Sequence, residues 1–131
     1  KNVIIDDYAH HPTEIKATLK AARNKYKDKK IIAIFKPNVY SRFVNFKDQY
    51  IEAFNEADYT YLTKVESNRE KYEDYVGYDS NIITDVCSNC SLLNEKDMSV
   101  LKEYKDVCFV VMSCADVANI IDVLKEYNNE K

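Results

Sequence analysis

Residues 2–14 read NVIIDDYAHHPTE, and this stretch predicts the fold of the whole chain. Residues 3–5 form a β-branched run that stops at two carboxylates, which is typical of a buried strand. Pro12 suits the first turn of a helix, where its missing N–H costs nothing and its fixed φ is already helical. His11 precedes that proline and is therefore pushed out of the α region. The stretch predicts a strand, a tight polar loop and the start of a helix.

The remaining sequence alternates between helical and strand patterns. Continuous apolar runs at residues 31–35 (IIAIF) and 107–112 (VCFVVM) indicate strands that are buried on both faces. Two helices are predicted before the third strand: one has Ile15, Leu19, Ala22 and Tyr26 inward, and the other reaches about Asn55 with Phe46, Tyr50 and Phe54 inward. A strand at 59–63 and a polar, mobile excursion at 64–79 follow. The remaining predicted elements are a short helix capped by Ser80, a weak edge strand at 91–93, a short helix at 98–104 and a last helix at 117–127.

Strands that alternate with helices across short loops predict right-handed crossovers. The predicted fold class is α/β, a three-layer, Rossmann-like, open and mostly parallel sheet with helices on both faces. In such a sheet the loops at 6–12, 36–42 and 113–116 share the rim at the carboxyl ends of the strands. Ligands bind at this rim in open α/β sheets, so we expect the site there.

Composition limits the kinds of protein that this chain can be. Its 131 residues predict one domain, and a net charge of −3 argues against a nucleic-acid surface. A single glycine, Gly77, rules out a glycine-rich phosphate loop, so any nucleotide would be held mainly by another part of the protein. A chain that starts directly on a strand is expected to be a domain of a longer protein. No apolar run is long enough for a membrane span, and four cysteines outside any disulfide framework predict a reduced, cytoplasmic protein.

Polar residues near the predicted rim are the candidates for chemistry. Asp6 and Asp7 are adjacent in an extended segment, so at most one of them faces a ligand, and capping or solvation is their default role. His10 and His11 are the only histidines; we expect His10 to hydrogen-bond an anionic ligand and His11 to be structural. No metal site is predicted, because no further ligand stands at a recognisable spacing. Arg42 at a helix start can clamp a carboxylate or phosphate.

Two further patterns are interpreted as structural. The Cys87-x-x-Cys90 pair closes a helix instead of opening one after a strand, so we expect it to pack and not to do redox chemistry. Cys108 lies inside an apolar strand and is expected in the core. The tyrosines between residues 72 and 78 have acidic neighbours, which argues against base stacking.

Four blocks in the correct order carry a resemblance to a known family. DDYAHHPTE (6–14), FKPNVYSRF (35–43), AFNEADYTYL (53–62) and VVMSCADVANI (110–120) resemble the C-terminal domain of the Mur ligases. The resemblance covers nearly the whole chain and makes residues 1–131 the third domain of a longer ligase, whose UDP-binding and ATP-binding domains are not in this sequence. Its first block is the most specific.

The resemblance implies an ATP-dependent ligase of peptidoglycan synthesis that adds L-alanine to UDP-N-acetylmuramate. ATP and Mg²⁺ would be held mainly by the central domain, and this domain would close over them as a lid. By position, Asp7 and Tyr8 are expected beside the nucleotide. His10 and Arg42 are expected to face the amino acid and the reacting phosphoryl group. The isolated domain is expected to be inactive.

Two departures from the family pattern leave alternatives open. Asn38 and Val39 stand where the family usually has His-Arg, and Ser113 and Ala115 replace glycines of its last turn. These departures leave the identity of the added amino acid open. The alternatives are the muropeptide-recycling tripeptide ligase of the same family, a binding module that has lost catalysis, and a receiver-like signalling domain. The last would need an aspartate after the third strand, where Thr63 stands.

Overall fold

A five-stranded sheet organises the chain in a computed structural model. The structure describes residues 1–67, 70–75 and 77–129, and Tyr72 is described by its backbone alone. The strands are β1 (Val3–Asp7), β2 (Ile31–Phe35), β3 (Tyr59–Leu62), β4 (Cys90–Leu92) and β5 (Cys108–Met112). The helices are α1 (Pro12–Lys25), α2 (Tyr40–Asn45), α3 (Lys47–Phe54), α4 (Asn81–Thr84) and α5 (Ala118–Asn129), with 3₁₀ turns at Tyr72–Tyr75 and Ser99–Glu103.

All pairs of neighbouring strands are parallel, in the order β1-β5-β2-β3-β4. The predicted open, parallel α/β sheet is therefore confirmed. Every residue of β2 and β5 is buried, because these strands have neighbours on both sides. The prediction that the first strand is buried is wrong, since β1 forms an edge of the sheet and is only partly covered. Edge strands pair on one side only, which leaves part of their surface open to solvent.

Apolar side chains fill a separate core on each face of the sheet. One core lies under α1 to α4 and contains Ile15, Leu19, Phe35, Phe54 and Ile83. The other lies under α5 and the second 3₁₀ turn and contains Leu101, Phe109, Ile120 and Leu124. The predicted three layers are thus confirmed. Within the described ranges, none of the helices has the length and apolar character needed to cross a bilayer.

The predicted helix ending near Asn55 is broken into α2 and α3 at Phe46. Tyr50 and Phe54 are buried as predicted, but Phe46 is 46% exposed, so its predicted inward position is wrong. Phe46 leaves helical geometry with φ −121° and ψ 26°, which rotates α3 relative to α2. Both helices contribute buried side chains to the core, and α2 also carries Arg42.

The segment predicted as a polar excursion makes defined contacts where the structure describes it. The Tyr75 ring stacks on the Tyr40 ring at 5.3 Å between centroids, and Asp79 Oδ1 accepts from the Val65 N–H at 2.8 Å. Parts of this prediction, at residues 68, 69 and 76, lie outside the described residues, as does the end of the polar tail at 130–131. The helix predicted to start after Ser80 is present, but Ser80 makes no side-chain cap, because its hydroxyl donates to the Thr63 carbonyl.

The cysteines differ in part from the predicted reduced state. Cys87 and Cys90 are joined by a disulfide between α4 and β4, which corrects the prediction that they only pack. Cys108 is buried in β5 as predicted, and burial raises the pKa of its thiol to about 11. Cys114 is a partly exposed free thiol.

Candidate ligand-binding site

The three predicted rim loops meet around one pocket of about 440 Å³, which we call the rim pocket. It lies beyond the carboxyl ends of β1, β2 and β5, where a parallel sheet offers space for a ligand. Its lining residues are Tyr8, His10, Asn38, Val39, Arg42, Glu66, Cys114, Ala115 and Asp116.

Local hydrogen bonds hold the first loop between β1 and α1. Asp7 Oδ1 accepts from the Ala9 N–H at 2.8 Å, and His10 Nδ1 lies 2.9 Å from the Tyr8 carbonyl oxygen. The Tyr8 ring is 70% exposed and meets the His10 ring edge-on, with 5.4 Å between centroids. An exposed aromatic ring beside an imidazole offers a stacking surface and a hydrogen-bonding group to the same ligand.

A buried tyrosine connects this loop to the helix pair α2–α3. The Tyr50 hydroxyl donates to the His10 carbonyl oxygen at 2.8 Å, and Tyr50 is only 1% exposed. Burial raises the pKa of the Tyr50 hydroxyl, and the neighbouring Arg42 guanidinium lowers it by less. Tyr50 therefore contacts the His10 backbone and the Arg42 side chain, and its hydroxyl stays protonated as a donor.

Arg42 lies on α2, whose first turn is capped from a distant part of the chain. Val39 precedes this helix with an extended backbone and offers no capping side chain. Glu70 Oε1 instead accepts from the Tyr40 N–H at 2.5 Å, and Glu70 Oε2 from the Ser41 N–H at 3.3 Å. Desolvation acts to raise the pKa of Glu70, but hydrogen bonds from the Ser41 hydroxyl and from the two backbone N–H groups outweigh it, so the pKa lies below its ordinary value. A charged carboxylate here stabilises the short helix that carries Arg42.

The third loop is held by a serine hydroxyl where glycines were expected from the resemblance. Ser113 Oγ donates to the Lys36 carbonyl oxygen at 2.6 Å and accepts from the Ala115 N–H at 2.8 Å. Neither Ser113 nor Ala115 has a positive φ, so no glycine is required at either position. The departure from the family pattern is therefore compatible with an intact loop.

Lys36 joins four segments behind the rim pocket. Its side chain is 7% exposed, and Nζ lies 2.7 Å from Glu66 Oε2, 3.0 Å from Glu95 Oε1 and 3.1 Å from the Asp116 carbonyl oxygen. Burial acts to lower the pKa of Lys36, but the two carboxylates outweigh it and the pKa is raised. The ammonium group is therefore charged and fixes the walls of the pocket relative to each other.

The structure brings three of the four predicted site residues together. Tyr8, His10 and Arg42 all line the rim pocket. Asp7 does not line it. The Asp7 side chain lies on the α1 side of the loop, and its carboxylate accepts a hydrogen bond from the Ala9 N–H. Asp6 instead lies on the side of Tyr8 and Asp116, in an adjoining depression. The alternation of side chains along β1 is as expected, but it directs the other carboxylate to the rim.

One group of potential metal ligands occurs among the described residues, formed by His10, His11 and Glu14 with ligand atoms within 4.8 Å of one another. Glu14 Oε1 accepts from the backbone N–H groups of His11 at 3.1 Å and His10 at 3.3 Å. These bonds are the leading cause of the lowered pKa of Glu14. We therefore interpret Glu14 as the cap of α1. Two imidazoles also do not fit Mg²⁺, which prefers oxygen ligands.

A sequence model of the family described as "Mur ligase, glutamate ligase domain" matches residues 1–114. The chain belongs to the Mur ligase family. A relative in Lacticaseibacillus casei named UDP-N-acetylmuramate–L-alanine ligase is 42% identical over 116 residues, 88% of this chain and 26% of the relative. A protein of the same name in Pediococcus pentosaceus is 37% identical over 125 residues, 95% of this chain and 28% of the relative.

Solved Mur ligase structures share the fold. A UDP-N-acetylmuramate-alanine ligase from Thermotoga maritima superposes with a TM-score of 0.70 and 21% identity, over 99% of this chain and 27% of the other. A murein peptide ligase from Psychrobacter arcticus superposes with a TM-score of 0.74 and 21% identity, over 99% of this chain and 28% of the other. The chain thus spans about a quarter of the length of the relatives it matches. The family match also decides against a receiver-like domain, which agrees with Thr63 standing after β3.

Four residues that support the Mur ligase rim pocket were not predicted as site residues. Tyr50 was assigned only to the core, while Glu66 and Glu70 fell in the predicted excursion. Lys36 falls in the predicted rim loop 36–42, but no role in the site is predicted for it. A charged residue directly after a fully apolar strand signals a rim position, so Lys36 could have been found. The two glutamates could not, because their partners are 30 residues distant in sequence.

Proposed function

We propose that this chain is the carboxyl-terminal, third domain of an ATP-dependent ligase that joins L-alanine to UDP-N-acetylmuramate in the cytoplasm. The observation that carries the proposal is the convergence of Tyr8, His10 and Arg42 on one pocket at the carboxyl ends of parallel strands. The names of relatives at 37–42% identity support the reaction class. The two other domains of the ligase would supply the phosphate loop that a chain with one glycine cannot form.

In the proposed reaction, ATP phosphorylates the muramyl carboxylate, the amine of alanine attacks the acyl phosphate, and the amide forms as phosphate leaves. This domain closes over the nucleotide and excludes water, which would otherwise hydrolyse the acyl phosphate. The exposed Tyr8 ring packs beside the nucleotide. The His10 imidazole faces the reacting phosphoryl group, and the Arg42 guanidinium binds the carboxylate of the amino acid.

The first loop contributes its two aspartates differently. We assign Asp7 an indirect part in nucleotide binding, because its bond to the Ala9 N–H shapes the loop that presents Tyr8. Asp6, on the Tyr8 side of the strand, is the carboxylate placed to reach a ribose hydroxyl. Mg²⁺ would supply neutralisation of the phosphate charge, and we assign its ligands to the remainder of the ligase because the His10, His11 and Glu14 group does not suit it.

The test measures ADP release by the full-length ligase with UDP-N-acetylmuramate and L-alanine. Arg42→Ala is expected to raise the KM for alanine or to lower kcat by about 10- to 100-fold, since a hydrogen bond to a charged group contributes about 1.5–3 kcal/mol. Arg23→Ala is the matched control, because Arg23 binds the Glu56 carbonyl oxygen and Asp58 away from the pocket. Unchanged kinetics in Arg42→Ala would remove Arg42 from the site. The 131-residue chain alone should hydrolyse no ATP.

Substrate replacement separates the alternatives within the family. ADP release with the tripeptide L-alanyl-γ-D-glutamyl-meso-diaminopimelate, but not with L-alanine, would identify the recycling ligase instead. No turnover with either substrate, restored by Val39→Arg, would identify a domain that has lost catalysis. Turnover with alanine in the unmodified protein supports the proposed reaction.

A further inference from the structure

The rim pocket contains acidic as well as basic groups, which a site for phosphate alone would not require. Among its described lining residues, Arg42 carries a positive charge, and Glu66 and Asp116 carry negative charges. Asp116 Oδ1 accepts from the Ala118 N–H at 2.9 Å and so caps the start of α5. Glu66 caps no helix; its carboxylate pairs with Lys36 and also lines the pocket.

Glu66 is held to the pocket wall by both its backbone and its side chain. Its N–H donates to the Pro37 carbonyl oxygen at 3.0 Å, which ties it to the loop that carries Asn38 and Val39. Its Oε2 lies 2.7 Å from the buried Nζ of Lys36. Glu66 itself is 63% exposed at the side chain, so the carboxylate is anchored from behind and open in front.

An anchored carboxylate retains acceptor capacity for a second cation. A carboxylate offers about four lone-pair sites, and the contact with Lys36 uses one of them. Glu95, the other carboxylate that contacts Lys36, does not line the pocket. Because the single positive charge of Lys36 is shared between two carboxylates, it does not fully neutralise Glu66. An exposed carboxylate facing the same cavity as a guanidinium fits a ligand that carries both charges.

We propose that Glu66, positioned by Lys36, accepts the ammonium group of the incoming amino acid while Arg42 binds its carboxylate. This inference rests on the proposed function and deepens it, because it names the residue that holds the ammonium end of the amino acid and the lysine that positions that residue. A polyphosphate would be repelled by Glu66, so this part of the pocket is assigned to the amino acid and not to the nucleotide. Val39, Cys114 and Ala115 leave a small, largely apolar wall for the side chain.

The experiment compares Glu66→Gln with the matched control Glu52→Gln, which removes a carboxylate paired with Lys16 on the surface. In the full-length ligase, Glu66→Gln should raise the KM for L-alanine about 10- to 100-fold and leave the KM for ATP within 2-fold. Glu52→Gln should change neither. Lys36→Met should shift the alanine KM in the same direction, and Lys36→Arg should restore most of the affinity.

A ligand without an ammonium group separates recognition from loss of structure. Propionate carries only the carboxylate, so its inhibition constant should stay within 2-fold in Glu66→Gln and weaken in Arg42→Ala. Equal weakening of alanine and propionate by Glu66→Gln, or an alanine KM within 3-fold of the unmodified ligase, would overturn the role of Glu66. If the unmodified ligase releases no ADP with any amino acid, the proposed function fails instead.

Discussion

Ser113 offers the sharpest test of how the rim is held together. It is 4% exposed, and its hydroxyl makes two hydrogen bonds, one to the Lys36 carbonyl oxygen and one from the Ala115 N–H. Ser113→Ala removes both and leaves two backbone groups without these partners. Each buried polar group that loses its partner costs about 1–3 kcal/mol, and the Ala115 N–H is only partly buried, so we expect a loss of about 2–4 kcal/mol in the free energy of unfolding.

Urea denaturation of the 131-residue chain, followed by circular dichroism, measures this loss. A lower midpoint with an unchanged m-value is expected, because the surface exposed on unfolding stays the same. Ser99→Ala is the control, since the Ser99 hydroxyl bonds only the exposed Asp97 carboxylate, and a change within about 0.5 kcal/mol is expected. Ser113→Gly should be as unstable as Ser113→Ala. A loss below about 0.5 kcal/mol in Ser113→Ala would refute the argument that the hydroxyl replaces the glycines of this turn.

The remaining predictions concern packing, capping and the cysteines. Phe54→Ala should cost about 3–5 kcal/mol of unfolding free energy and Phe46→Ala less than about 1 kcal/mol, because Phe54 is buried and Phe46 is 46% exposed; equal losses in urea melts would contradict the break between α2 and α3. Glu70 has a lowered pKa, so its capping of α2 stabilises the chain above the unfolded pKa of this carboxyl, and the stabilisation is lost as the pH falls through the folded pKa. The difference in unfolding free energy between the unmodified chain and Glu70→Gln should therefore shrink under acid conditions. A difference that grows there would contradict the lowered pKa. Thiol titration in denaturant should detect Cys108 and Cys114 before reduction and all four cysteines after it, whereas four thiols before reduction would exclude the Cys87–Cys90 disulfide.

Sequence patterns predicted most of the fold because each of them is local. The runs at β2 and β5 are apolar throughout, which follows directly from burial on both faces of a parallel sheet. Pro12 indicates the start of α1 through an equally local effect, because its ring fixes its own φ at a helical value. The break at Phe46 is not predicted, because the apolar spacing of the predicted helix continues across it. Spacing alone does not report a change in helix direction.

The sequence by itself determined the order of the strands and helices, the loops that form the rim, and three residues that face the pocket, Tyr8, His10 and Arg42. Tertiary structure alone decided which aspartate lies in the depression beside the pocket, how Glu70 caps α2, and how Lys36 fixes Glu66. These features depend on contacts between segments that are distant in the chain. Local patterns indicate burial where an apolar run is continuous, as in β2 and β5, but the partner of a buried charge is set only when the strands are placed side by side.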